Sequence, residues 1–209
     1  MKIPYCFALS LGVVFGLQLP DAAAARSLTV TVYIHDDLAD MSDTQVRKDY
    51  FEHWLNEMRS FSQHPIELDL RRNVERITDI DYESIPASQI LKTFEQEVYE
   101  LPRYGVFSFM DKHLLLTRNP YDRSGLNYVG GLANFRYNTA ISSVSAYGAP
   151  AHEIGHMLGA THEDAELKFN GWVCETYTYP NRVAARSNCY RYSDKNRAII
   201  ADYLKYNSK

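Results

Sequence analysis

Residues 151–163 read Ala-His-Glu-Ile-Gly-His-Met-Leu-Gly-Ala-Thr-His-Glu, and no other stretch constrains the chain as strongly. The run has the form H-E-x-x-H-x-x-G-x-x-H. His152 and His156 are four residues apart, so on a helix they stand one turn apart on one face. Two imidazoles so placed grip one Zn²⁺, an ion that favours nitrogen ligands. Gly159 falls where the helix must stop if the chain is to turn back, and glycine reaches the left-handed conformation at little steric cost. Past that turn His162 supplies a third nitrogen and leaves a position open for water. Glu153, beside the first ligand, is placed to take that water's proton. With 7 histidines in 209 residues, three at fixed places arise by chance in roughly one window in 30,000, before Glu and Gly are required. A helix with incidental histidines is therefore a poor account of the run.

The N-terminus has a different character. Lys2 gives a positive start, Ile3 to Leu19 is almost wholly apolar, and Ala22 to Ala25 offers small residues for cleavage. This is the pattern of a secretory signal, and its apolar run is too short and wrongly flanked for a stable membrane anchor. The expected division is a signal peptide over residues 1–25 and a catalytic domain over 26–209, in a secreted or periplasmic protein with no membrane span. Lys and Arg number 22 against 26 Asp and Glu, a net charge of −4. No basic field is present to attract nucleic acid. Cys6 leaves with the signal, and Cys174 and Cys189, two cysteines in an exported chain, most simply pair.

Between these landmarks the chain alternates element types. Ser27 to His35 alternates apolar and polar residues and reads as a strand. Ser42, Asp43 or Thr44 caps a helix running to about Phe61, with Val46, Tyr50, Phe51, Trp54, Leu55 and Met58 at helical spacing. Pro65 to Val74 reads as a second strand. Ser84 and Pro86 open a second helix with Ile90, Leu91, Phe94, Val98 and Leu101 on its apolar face. Tyr104 to Met110 and His113 to Thr117 supply strand material, Asn119 to Gly125 reads as a turn-rich loop, and Tyr137 to Ser145 as a last strand before the motif helix. Strand, helix, strand, helix, strand is the α/β order in which helices cover a mostly parallel sheet.

The motif is the zincin signature in its extended form, and the chain resembles a metzincin zinc metalloprotease. Two further stretches carry the resemblance. Gly131-Leu132-Ala133 matches the Gly-Leu-Ala run of the metzincin edge strand, which lies above the active-site helix and pairs with extended substrate. Arg191-Tyr192-Ser193-Asp194, followed by Ile199, Ile200, Tyr203 and Leu204, looks like the closing helix of the reprolysin-like (adamalysin-type) members. The resemblance implies a twisted, mostly parallel sheet with an antiparallel edge strand, an active-site helix and a small C-terminal subdomain ending in a helix. It implies Zn²⁺ as cofactor and a polypeptide as substrate.

One family feature is missing. Metzincins place a methionine in a tight turn beneath the metal, downstream of the third His, and no Met follows Met157 here. The turn falls near Cys174 to Pro180. Alignment on the cysteine puts Thr176 at the methionine position, whereas a Met-x-Tyr alignment puts Tyr177 there and Tyr179 two further on. In astacin-like and serralysin-like members that tyrosine reaches the zinc and stabilises the oxyanion, so Tyr177 or Tyr179 is a candidate for this role. The loop from Cys174 to Cys189 also carries Arg182 and Arg186 in polar, exposed-looking sequence. A disulfide around cleavable basic residues resembles the enzymatic subunits of some bacterial AB5 toxins, which work with a receptor-binding B subunit. The reading is thus a secreted zinc endopeptidase, with two alternatives beside it: a protease A subunit docked to a B-subunit partner, and a non-catalytic exported zinc-binding domain.

Overall fold

The computed structural model of the chain describes residues 26–101, 108–125, 127–169, 171–180, 183 and 185–208. The expected signal segment, Arg182 and the first part of the strand material expected from Tyr104 lie outside these residues. Strand β1 (Leu28–Ile34) sends Val30 and Val32 into one core and Tyr33 into another, so it is covered on both faces. Ser42 then caps the first helix, its Oγ accepting the Gln45 N–H at 3.2 Å. The helix expected over Asp43 to Phe61 is not uniform. Helix α1 (Asp43–Val46) passes through a wider π-type turn, Arg47–Phe51, into α2 (Glu52–Phe61). An inserted residue of this kind rephases a helix, and Phe51, Trp54, Leu55 and Met58 are all buried.

Strand β2 (Ile66–Arg71) is followed by α3 (Ala87–Glu100), which opens after Pro86 and buries Ile90, Leu91, Phe94 and Val98. Strand β3 (Asp111–Thr117) begins only after Met110, so residues 108–110 are not strand. The turn-rich loop expected over Asn119 to Gly125 is instead half of a hairpin, β4 (Tyr121–Ser124) against β5 (Asn127–Val129). Its sequence hides it because the ladder has two rungs with a shifted register, and Asp122 takes a positive φ of 47°. Tyr121 anchors the hairpin in the core, and the Asp122 carboxylate accepts the Ala87 N–H at the start of α3.

Strands β6 (Gly131–Ala133) and β7 (Thr139–Ser143) complete a five-stranded sheet of order β2-β1-β3-β7-β6. The first four strands run parallel and β6 runs antiparallel at the edge. Crossover connections in a parallel sheet put helices on its faces. Helices α1, α2 and the motif helix α4 (Ala149–Met157) share one core with Val30, Leu114 and Ala140, while α3 packs with Tyr33, Leu115 and Ile141 on the other. The C-terminal part is a small three-stranded sheet, β8 (Leu167–Phe169), β9 (Val173–Glu175) and β10 (Ser187–Asn188), closed by α5 (Asp194–Asn207). Cys174 and Cys189 form a disulfide that ties β9 to the residue after β10, as the two-cysteine reading expects. Among the described residues no helix is long and apolar enough to cross a membrane.

Candidate active site

Helix α4 starts from a short turn after β7 and presses Ala151, Ile154 and Met157 into the core, which leaves His152 and His156 on the opposite stripe. The helix ends where the sequence requires. Gly159 has φ of 92°, and the Ala160 N–H returns to the Gly155 carbonyl at 2.9 Å. This is the left-handed termination that glycine makes cheap. The reversal brings His162 back over the helix. The three Nε2 atoms then lie 2.9 Å (His152 to His156) and 3.0 Å (each to His162) apart.

The other ring nitrogens are occupied. His152 Nδ1 donates to the Tyr177 carbonyl at 2.7 Å and His156 Nδ1 to the Ala160 carbonyl at 2.8 Å. With the proton on Nδ1, each Nε2 presents a lone pair, the arrangement that orients metal-ligating histidines. Burial, then the neighbouring imidazoles, push His152 down to about 3, and burial also lowers His156, so both favour the neutral ligand form. Three acceptor nitrogens about 3 Å apart repel one another unless a cation lies among them. The donor set is that of a zinc site with three protein ligands and an open position, and the residues present fit Zn²⁺.

Glu153 is 6% exposed, and burial pushes its carboxyl up to about 8. A positive charge at the triad would bring it back down. Its carboxylate lies against β6. A Cβ added at Gly131 would fall 2.7 Å from Glu153 Oε1. The edge strand and the carboxylate are thus in direct backbone contact.

The site opens into a cleft of about 770 Å³. It is lined by Val129, Gly130 and Gly131, by His152, Glu153 and His162, and by Glu175, Thr176, Tyr177 and Tyr179. Of the substrate-strand candidates, Gly131 lines the cleft. Leu132 and Ala133 continue β6, which among the described residues pairs on one side only, with β7.

Both tyrosine candidates line the cleft, and they differ in burial. Tyr177 is buried with its ring on Tyr192, centroids 5.0 Å apart. Among the described residues its hydroxyl has no hydrogen-bond partner, and the charged and polar groups that act on it are Glu57 and Tyr190. Its backbone carbonyl is the partner of His152 Nδ1. Tyr179 is half-buried and lines the cleft, with the Arg186 guanidinium 4.8 Å from its ring centre. Arg186 also approaches Glu175 at 3.2 Å and its side chain is only 18% exposed, so it is more covered than its polar sequence leads one to expect.

Other contributors carry no motif. Glu57 accepts the Tyr192 N–H at 2.8 Å and pairs with Arg197, which docks the C-terminal segment on α2. The Arg136 N–H is bonded to the His156 carbonyl at 3.0 Å. Asn196 bonds Thr161, next to the third histidine. These links span 20 to 140 residues and show no local periodicity that a sequence could reveal.

A crossover sheet with an antiparallel edge, a His-Glu-His helix and a third histidine after a glycine turn define a zinc metallopeptidase with the metzincin fold. Residues 50–163 match Metallo-peptidase family M12B Reprolysin-like, more than half of the chain, and the protein belongs to that family. Among solved structures, archaemetzincin from Methanopyrus kandleri is similar at 14% identity and a TM-score of 0.52, over 90% of this chain and 99% of that one. A zinc-dependent peptidase from Methanocorpusculum labreanum is 17% identical with a TM-score of 0.47, over 82% of this chain and 99% of that one. No curated protein sequence matches the chain.

Proposed function

We propose that the protein is a secreted zinc-dependent endopeptidase in which Glu153 is the general base. The observation that carries this reading is the convergence of three histidine Nε2 atoms, 2.9–3.0 Å apart, beside a buried carboxylate at the foot of an edge strand. Zn²⁺ held by His152, His156 and His162 supplies a Lewis acid that acidifies water and polarises a carbonyl. The Glu153 carboxylate takes the proton from the attacking water and returns it to the leaving amine. Gly131 lets that carboxylate lie against the substrate strand. An extended polypeptide adds to the free edge of β6 through main-chain hydrogen bonds, which position it at no cost in sequence choice. Tyr179, which lines the cleft with the Arg186 guanidinium over its ring, is the tyrosine we assign to donate its hydroxyl to the oxyanion. The apolar run and small residues before Arg26 support export, to the exterior or the periplasm.

The test is cleavage of a peptide library by the protein lacking residues 1–25, with and without a zinc chelator, beside Glu153→Gln. The variant should bind one equivalent of Zn²⁺ and lose on the order of 10²–10⁴-fold in kcat. Proteolysis at the wild-type rate in that variant, or undiminished by the chelator, would sink the reading.

A further inference from the structure

We propose that Asn196 is a positioning residue of the metal site, a single side-chain amide that sets the third histidine and the turn supporting the first against each other. This rests on the histidine triad being the zinc site. Asn196 stands in the first turn of α5 and is fully buried. Its Oδ1 accepts the Thr161 N–H at 2.9 Å, and its Nδ2 donates to the Thr161 carbonyl at 3.0 Å and to Thr178 Oγ1 at 2.9 Å. Both Nδ2 hydrogens are used, and the orientation of the amide follows from its partners: an N–H can only meet the oxygen, a carbonyl only the nitrogen.

Thr161 immediately precedes His162, and Thr178 immediately follows Tyr177, whose carbonyl takes the His152 Nδ1 proton. His152 and His156 are spaced by the helix itself. His162 is not: it is exposed, lies past the end of α4 on irregular chain, and its place depends on what holds the backbone there. Asn196 grips that backbone through both polar groups of one residue. Ser193, which caps α5 by accepting the Asn196 N–H at 3.1 Å, also donates to the Asp164 carbonyl. The first turn of α5 thus holds residues 161–164 at both ends, and Asn196 extends the hold to the turn under His152. A ligand carried on a loop needs such support, because partners one step out from a metal ligand set its affinity by about 10–100-fold.

The experiment measures Zn²⁺ affinity by chelator competition, and the visible spectrum of the Co²⁺-loaded protein, for Asn196→Asp. Aspartate keeps the shape and the contact to the Thr161 N–H but loses both donors and faces the Thr161 carbonyl with a like partial charge. Affinity should fall about 10–100-fold, with a changed Co²⁺ spectrum. Val98→Ala, a core truncation on α3 across the sheet, should lower Tm and leave Zn²⁺ affinity unchanged, separating a site effect from general loosening. If Asn196→Asp does not fold, Thr178→Val removes one partner of Nδ2 and should still weaken Zn²⁺ by about threefold or more. Wild-type affinity in a folded Asn196→Asp, or in Thr178→Val where that variant carries the test, overturns the positioning role while the zinc reading stands. A wild-type chain that takes up no Zn²⁺ overturns both.

Discussion

Gly131→Ala is the sharpest test of how the edge strand and Glu153 share space. A methyl there would sit 2.6 Å from Glu153 Cγ, 2.7 Å from Glu153 Oε1 and 2.7 Å from the Ile141 carbonyl oxygen, where ordinary contact begins at 3.4 Å. Each atom is therefore about 0.7–0.8 Å too close. The Ile141 oxygen belongs to the β7 backbone and cannot give without opening the sheet, whereas the Glu153 side chain can swing. Overpacking of this kind costs about 1–3 kcal/mol of stability, roughly 2–4 °C in Tm per kcal/mol for a chain of this size. A general base displaced by nearly 1 Å loses on the order of 10²-fold in rate, about 2.7 kcal/mol of barrier. Hydrolysis of a fluorogenic peptide should show that fall in kcat with bound zinc unchanged, because no histidine is touched. Gly130→Ala is the control: a Cβ there meets nothing within 4 Å, and its kinetics should match wild type. A folded Gly131→Ala with kcat within threefold of wild type, or equal damage from Gly130→Ala, would refute the reasoning.

Three further outcomes are expected. Tyr179→Phe should lower kcat, whereas Tyr177→Phe should leave it unchanged and raise stability by about 1 kcal/mol, since it deletes a buried hydroxyl without a partner; calorimetry and turnover separate the two. Replacing Cys174 and Cys189 by serine frees a loop with a sequence separation of 15 and should cost about 3 kcal/mol, visible as a Tm about 6–12 °C lower. Lys112 is fully buried on neutral partners, the Tyr137 carbonyl and the Tyr203 hydroxyl, both at 2.7 Å, and burial lowers it from 10.5 to about 7. A lowered pKa means that the unfolded chain binds more protons between these values, so stability climbs with pH across the window and is flat below it. Denaturant midpoints should reveal a rise of roughly 2 kcal/mol between about pH 7.5 and 9, absent in Lys112→Met; the same slope in both proteins would discard this assignment.

What could be read from the sequence is what repeats or is spaced. Val30 and Val32 advertise β1 because a strand alternates, and Ile90, Phe94 and Val98 advertise α3 because a helix turns every 3.6 residues. The histidines were legible for the same reason, since i and i+4 on a helix and a glycine at its end leave few geometries. The hairpin of β4 and β5 was not, because Tyr-Asp-Arg-Ser has no apolar alternation and one anchored side chain, Tyr121, holds it. Nor could Glu57 be matched to Tyr192 and Arg197, partners 135 and 140 residues away. The different burial of Tyr177 and Tyr179 depends on the phase of one turn, in which the Tyr179 N–H returns to the Thr176 carbonyl at 2.9 Å. Both residues line the cleft, and two residues of offset bury the Tyr177 hydroxyl while Tyr179 stays half-buried.

That turn also explains how the site does without the family's methionine. The floor beneath the histidines is built from backbone and aromatic packing. The Tyr177 carbonyl holds His152, the Tyr177 ring lies on Tyr192, and the Tyr192 hydroxyl donates to the Ala151 carbonyl at 2.6 Å inside α4. Tyr192 comes so close to the helix that a Cβ at Gly155 would stand 2.7 Å from its ring and 3.2 Å from the Thr178 methyl. Gly155, a free position in the motif, is therefore constrained here by the floor. A flexible thioether fills space without direction, whereas this floor is directional, each layer fixed by a hydrogen bond or a ring contact. Tyrosine at 192, glycine at 155 and the backbone of the turn at 176–179 form one interlocked set, in which a larger residue at 155 would meet both the Tyr192 ring and the Thr178 methyl.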